Sequence, residues 1–262
     1  MKARTRNSSL TNALQILKSF NLEQPEWSLR EIAANQNISI STAHRLLKTL
    51  EEENFIIHEK QHYKLGTSIL RFTNIFIDDL DVLKGMTPYL KSLTKKTGQS
   101  AHIAMLSGKE VLYLKKEDGL IQVPLKSHIG RRNPFYATSS GQVIVAFMPD
   151  DQRLALLQQT QFIDFTTSTL TTIEQYERSF QQIRQQGVAI SREELHMQFM
   201  SIAAPIFNKQ NEVVASVSIA GKVKALQPNE KTFALSVKQT AEMITQFIQK
   251  YGAGSPNDIF NK

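Results

Sequence analysis

Residues 38–55 read ISISTAHRLLKTLEEENF, and they raise a question: why does one short segment gather Ser, Thr, His, Arg and Lys along one side? Wound as a helix at about 100° per residue, Ala43, Leu46, Leu47 and Leu50 fall within about 60° of one another. That is an apolar stripe suited to a core. Ser41, Arg45 and Lys48 point the opposite way, with Thr42, His44 and Thr49 on the flanks. The outward face holds hydrogen-bond donors and cations, and its one acid, Glu52, comes late in the helix. An ordinary solvated face would look the same in isolation, so the neighbouring segments carry the argument.

Upstream, Leu10, Ala13, Leu14, Leu17 and Phe20 recur at spacings of three and four, predicting a first helix that the proline of QPEW interrupts. In SLRE, Ser28 stands three residues before Glu31, a capping box that opens a second short helix with Leu29, Ile32 and Ala33 inward. This helix runs to about Asn35. The turn NQNIS then leads into the opening segment, capped by Ser39 or Ser41. Two short helices around a tight turn, the second with a polar outer face, make a helix-turn-helix. Downstream, FII and YKL are short β-like runs flanking HEKQH. They predict a hairpin, the wing of a winged helix-turn-helix. The candidate DNA-binding residues are therefore Ser41, Thr42, His44, Arg45 and Lys48, with Lys60 on the wing and Arg6 in a basic arm that also holds Lys2 and Arg4.

His58, Glu59 and His62 spell H-E-x-x-H, the zinc metalloprotease pattern, which needs both histidines on one helical face. The flanking runs are β-like, so the residues do not converge and no metal is expected. They suit a polar wing tip near phosphate, or an ordinary solvated turn. No G-x-S-x-G elbow, P-loop or G-x-G-x-x-G occurs in the chain, and His102, His128 and His196 are scattered singly. The expectation is a protein that is not an enzyme and carries no cofactor.

A chain of 262 residues with 41% hydrophobic content can build two cores. The absence of cysteine excludes disulfides, thiolate nucleophiles and Cys-ligated metal sites. No apolar run approaches a membrane span and the first residues lack a signal-peptide core, so a cytoplasmic protein with no membrane partner is expected. A net charge of +7 agrees with a polyanionic partner. After the wing, an apolar helix is predicted from about Ser68 to Asp79, with a domain boundary near residues 78–86. Beyond it the texture is mixed. A helix ends near residue 97, SAHIAML and EVLYLKK form a hairpin, and IQVPLKS adds a strand. Residues 139–147 and 150–159 read as helices, and TTIE offers a capping box, Thr171 with Glu174, for another that ends at Gly187. MSIAAPIF and EVVASVSIAG form a second hairpin, and a last helix spans about 229–251. Strands with segregated helices predict an α+β fold and not a Rossmann series.

STAHRLLKTLEEENFI, YKLGTSIL, GRRNPFYATSSGQ and MSIAAPIFN with VVASVSIAG, in that order, resemble the IclR family of bacterial transcriptional regulators over residues 8–250. The resemblance implies a winged helix-turn-helix DNA-binding domain at residues 8–67, a linker helix at 68–85 and a GAF-like α/β effector-binding domain at 86–251. It also implies a homodimer or tetramer on a palindromic double-stranded operator, controlling catabolic genes as repressor or activator. In the family the positions matching Ser41, Thr42 and Arg45 work at the DNA. The effector site carries over to Ser139, Ser140, Ser191, Ser201 and Ser218. A frequent aspartate of the family is Ser191 here, a frequent cysteine is Ser201, a frequent His is Tyr136 and a frequent Lys is Gln142. Hydroxyls donate and accept without bearing charge. A small polar effector, an organic acid or a sugar derivative, is therefore expected, with Arg131, Arg132 or Arg192 as candidate cations. An enzyme using the C-terminal pocket and a sensor that does not touch DNA are the competing readings. Salt-dependent DNA binding separates both from a regulator.

Overall fold

Ser8 caps the first helix, α1 (Ser9–Ser19), its hydroxyl accepting from the Thr11 N–H. The helix ends at Ser19, before QPEW is reached, and Glu26 and Trp27 of that stretch open a strand, β1 (Glu26–Ser28), which is too short to show a period. The Ser28–Glu31 capping box is present in both directions and opens α2 (Leu29–Gln36). Asn37, in the left-handed region at φ 52°, closes it. Helix α3 (Ile40–Glu52) is capped by Ser39 and not by Ser41. Ala43, Leu46, Leu47 and Leu50 are all buried, in a cluster with Ile16, Ile32 and Ile56. Each leucine so buried contributes roughly 1.5–3 kcal/mol. The wing is β2 (Ile56–Glu59) and β3 (His62–Leu65), and β1 joins it to make an antiparallel sheet in the order β1-β3-β2. Trp27 pairs with Tyr63 in this sheet and packs against the same core. Helix α4 (Ser68–Asp78) follows, Phe72 stacking on Phe55.

The computed structural model describes residues 8–78, 81–120 and 127–251. Lys2, Arg4 and Arg6, almost all of IQVPLKS and the last residues lie outside these. The chain divides into two units, residues 1–78 and 79–262. In the second, α5 (Asp81–Gly85) and α6 (Thr87–Thr97) precede the hairpin β4 (Ser100–Ser107) and β5 (Glu110–Glu117), followed by β6 (Arg132–Pro134). Next come α7 (Ser139–Phe147), α8 (Asp150–Gln158) and α9 (Ile173–Gln186), then β7 (Ala189–Arg192), β8 (Phe199–Phe207) and β9 (Val213–Lys222). A short helix, α10 (Val223–Leu226), leads to the long α11 (Glu230–Tyr251). The capping box of α9 sits one residue later than TTIE predicts. Thr172 is the extended residue, and its hydroxyl and the Gln175 side chain exchange the two bonds.

Six antiparallel strands lie in the order β6-β5-β4-β9-β8-β7. Because side chains alternate across a strand, the sheet has two distinct faces. Ile103, Ile202, Ile206, Val217 and Ile219 face α6 and α11, in a core with Leu90, Leu93, Val237 and Ile244. The other face carries His102, Ser191, Ser201, Ala203, Ser218 and Ala220, which share it through the pairs His102–Ser218, Ser218–Ala203, Ser201–Ala220 and Ser191–Ser201. Helix α7 lies on this face with α9 behind it. Small residues there let α7 approach closely while leaving room above the strands.

Gly141 in α7 makes a second close approach. A Cβ at that position would stand 2.3 Å from the Phe135 carbonyl oxygen and 2.4 Å from its Cα. Both are backbone atoms of the 3-10 turn Phe135–Ala137, so neither can swing aside. Overpacking costs about 1–3 kcal/mol even where side chains can yield. Gly141→Ala should therefore lower the melting temperature of the 79–262 unit by at least several degrees in circular dichroism. An unchanged transition would show that the turn is free to move.

Candidate functional site

Helix α3 presents Ser41, His44, Arg45 and Lys48 to solvent, with Thr42 half-exposed. The Ser39 hydroxyl lies 3.0 Å from that of Ser41 and 2.8 Å from that of Thr42, so the helix begins in a cluster of three hydroxyls beside its free N–H groups. That end of a helix carries partial positive charge and favours phosphate. Arg45 lies one turn further on, on the same outward side. Lys48 makes only a long contact of 3.9 Å to the exposed Glu52, which is worth little. At the wing, Lys60 and Gln61 form the two-residue turn, both with positive φ (45° and 75°), as the twist of a tight hairpin requires. Lys60 is exposed at its tip. The H-E-x-x-H residues do not converge. Glu59 pairs with His62 and His58 with Tyr63, which puts the two histidines on opposite faces of the hairpin. His58 stacks on Tyr63 with ring centroids 4.3 Å apart. Among the described residues no group of three or more His, Asp or Glu side chains could hold a metal ion.

The second unit holds a recess of about 90 Å³ between the small-residue face of the sheet, the N-terminal end of α7 and the loop 193–198. Of the five serines carried over from the family, Ser191 and Ser201 line it. Ser139 is fully buried and donates to Ser201 Oγ at 2.8 Å, tying α7 to β8 behind the cavity wall. Ser140 and Ser218 are likewise buried and bond one another at 3.0 Å, tying α7 to β9. Of the three arginines, Arg131 lines the cavity, Arg132 reaches Glu110 and Ser107, and Arg192 pairs with Glu230.

His102, Tyr113, Ser127, Asn133, Glu194 and His196 also line the recess, and sequence reasoning singled out none of them as ligands. His102 Nε2 lies 2.9 Å from Ser127 Oγ, while its Nδ1 is buried with no hydrogen-bond partner. Burial, helped by Lys116, pushes its pKa down to about 4, so the ring is neutral. Tyr113, edge-on to His102, is raised by burial and also stays neutral. Gln142 Nε2 donates both to the Tyr136 carbonyl, at 2.7 Å, and to the Glu194 carboxylate, which uses up both amide hydrogens. Burial pushes the Glu194 carboxyl up to about 7, against the lowering effect of its bonds to Gln142 and Ser191. The loop that carries Glu194 is pinned from outside by Thr166 and Thr169, whose hydroxyls donate to the carbonyls of Glu193 and Glu194 at 2.6 Å each.

A winged helix with a polar reading face, followed by an antiparallel-sheet domain with a polar recess, defines a ligand-responsive DNA-binding regulator. Residues 9–58 match the IclR helix-turn-helix domain, and residues 75–246 match the C-terminal domain of the bacterial transcriptional regulator IclR. The chain belongs to the IclR family. It is 32% identical over 214 residues to the HTH-type transcriptional regulator XynR of Escherichia coli, covering 81% of this chain and 85% of that one. Among solved structures, Thermotoga maritima IclR aligns with a TM-score of 0.72 at 27% identity, covering 91% of this chain and 97% of that one. An IclR homologue from Microbacterium hydrocarbonoxydans, solved in complex with 4-hydroxybenzoate, has the same fold, with a TM-score of 0.79 at 19% identity over 92% of this chain and 99% of that one. Among the described residues no helix is long and apolar enough to cross a membrane.

Glu194 also leaves a mark on stability. Its pKa in the folded protein lies above the ordinary value of 4.5, so the folded state binds the proton more tightly than the unfolded state does. The group is harmless below about pH 4.5, and ionising it in place costs stability as pH rises through about 7, on the order of 3 kcal/mol at the alkaline end. Glu194→Gln keeps an acceptor for Gln142 without the charge. It should melt close to wild type at about pH 5 and several degrees higher at about pH 8. Parallel pH profiles for the two proteins would show that Glu194 is solvated.

Proposed function

We propose that the protein binds a palindromic operator as a homodimer or a tetramer, and that a small organic acid or sugar derivative in the C-terminal recess sets its affinity for that DNA. The division of labour is a DNA-binding domain at residues 8–67, a linker helix at 68–85 and an effector domain at 86–251. The chain acts in the cytoplasm, without catalysis of its own. What carries the reading is the outward face of α3, where exposed hydroxyls, His44, Arg45 and Lys48 stand over a fully apolar buried stripe. Ser41, Thr42, His44 and Arg45 contact base edges and nearby phosphates, while Lys48, Lys60 and Arg6 contact the backbone. Ser139, Ser140, Ser191, Ser201 and Ser218 form the effector site, Ser191 and Ser201 at its surface and the others behind it. An effector that prefers one arrangement shifts DNA affinity by its differential binding to the two, and by no more.

Operator duplexes selected from random DNA provide the test. Arg45→Ala removes one contact per half-site, each worth about 1–3 kcal/mol, so a dimer should lose at least about thirtyfold in specific affinity in gel shifts. Its circular dichroism should be unchanged, because Arg45 is exposed. Unaltered affinity would remove α3 as the reader. Binding by the wild type should weaken steeply with salt, and a flat response would point to a partner other than nucleic acid.

Ser201→Phe fills the recess. It should abolish effector-dependent thermal stabilisation and leave operator affinity unresponsive to effector. A folded variant that still responds as wild type does would place the effector site elsewhere.

A further inference from the structure

Glu194 is the unusual member of the recess. It puts a carboxyl group into a space that, by the reading above, receives an organic acid. Its hydrogen-bond partners there are neutral groups, the Gln142 amide, the Ser191 hydroxyl and the Arg192 backbone N–H. Both hydrogens of the Gln142 nitrogen are committed, one to the Tyr136 carbonyl and one to Glu194. The amide therefore faces Glu194 with its donor, and it cannot also serve a ligand.

In a cavity of about 90 Å³, a ligand carboxylate and the Glu194 carboxylate would stand within about 6 Å of each other. At an effective dielectric constant near 20, repulsion at that distance costs roughly a hundredfold in affinity. We propose that Glu194 enters the effector complex as a carboxylic acid: the cavity takes a small monocarboxylate, and a proton drawn from solvent lets the Glu194 hydroxyl donate to it. A dicarboxylate is disfavoured, because its second charge meets no second proton. This rests on the recess being the effector site.

The surroundings favour that state. Burial has already brought the group to about 7, so protonation near neutral pH costs little. A carboxylic acid held neutral in an apolar pocket so that it can donate is a known device for binding an oxyanion. The other charged and titratable groups around Glu194 are accounted for. On α9 the Tyr176 hydroxyl is raised by burial and donates to the carbonyls of Leu170, at 2.7 Å, and Tyr136, at 3.2 Å. The Tyr136 hydroxyl accepts from the Ile163 N–H at 3.0 Å. On β7, Arg192 is paired with Glu230, and its charge still pulls the Glu194 carboxyl down against the larger effect of burial. Across the cavity His102 and Tyr113 are neutral, and Arg131, which donates through Nε to Asn133 Oδ1 at 3.4 Å, is a cation on the lining. His196 stands exposed at the rim, and the Glu193 carboxylate, next to Glu194 in the loop, accepts from the Gln198 N–H at 2.6 Å.

The test is calorimetry and thermal shift on the full chain, with glycolate, lactate and glycerate as monocarboxylates, malonate as dicarboxylate, and glycerol and xylose as neutral probes. Two buffers of different ionisation heat give the proton count. A monocarboxylate should bind with about one proton taken up at pH 8 and none at pH 5.5, and its affinity should fall about tenfold per pH unit above roughly 7.5. Malonate should bind at least tenfold more weakly. Glu194→Gln should abolish the proton uptake and His196→Gln should retain it. The proton count is read on the wild type, so it decides the matter even where a variant folds poorly. A monocarboxylate that binds at pH 8 without proton uptake, malonate binding more tightly than lactate, binding by neutral probes alone, or no binding by any probe would each overturn the proposal. Ser201→Phe judges the effector-site reading separately, so the two can fail independently.

Discussion

Helix α7 can lie against the six-stranded sheet only because the strands beneath it carry Ala203, Ser201, Ser218 and Ala220 instead of the isoleucines and valines of the opposite face. Two serine–serine bonds, Ser139 to Ser201 and Ser140 to Ser218, hold it there at 2.8 and 3.0 Å. Gly141 admits the backbone of the preceding turn. The recess follows from the same substitution of small for large. Where α7 ends and the strands continue, short side chains leave a space that the loop 193–198 roofs with Glu194 and Leu195. One face of the sheet thus makes a dry core with α6 and α11, and the other makes a polar site.

The first unit meets a different constraint. Helix α3 is anchored by one side only, and its other side faces solvent. Four buried apolar residues anchor it, and the wing sheet is tied in through Ile56 and Tyr63 in the same cluster. Lys64, central in that sheet, is held by Glu59 at 3.3 Å and Glu26 at 3.5 Å and is raised by them. It is therefore neutralised within the wing, which leaves Lys60 to carry charge at the tip.

Much of this was legible in the sequence, for identifiable reasons. The stripe of α3 and the Ser28–Glu31 box are local patterns whose physics is complete within a few residues, and both are present in the fold. Strand β1 and strand β6 were not legible. Three residues cannot show a period, and Arg-Asn-Pro reads as a loop until β5 provides an edge to pair with. The box of α9 slid by one residue because Thr171 and Thr172 are interchangeable on paper and only backbone geometry selects between them. Glu194 and His102 escaped for a deeper reason. Glu194 follows Glu193 in a polar run typical of a turn, and His102 sits alone in an apolar strand. What makes them site residues is burial, which arises from contacts far away in the chain. The one signal available was His102 itself, a titratable group at an inward position of a strand that is otherwise all small or apolar.

The chain contains a single tryptophan, and it lies in β1, half-buried against the core of the winged-helix unit with its indole nitrogen buried and unbonded. The unit that contains the recess has none. Excited near 295 nm, the protein therefore emits from one place only, the domain that meets DNA. A change in that emission that a small molecule produces in the wild type and not in Ser201→Phe has crossed from one unit to the other. The sequence has supplied its own optical reporter, placed in the half that does not hold the recess.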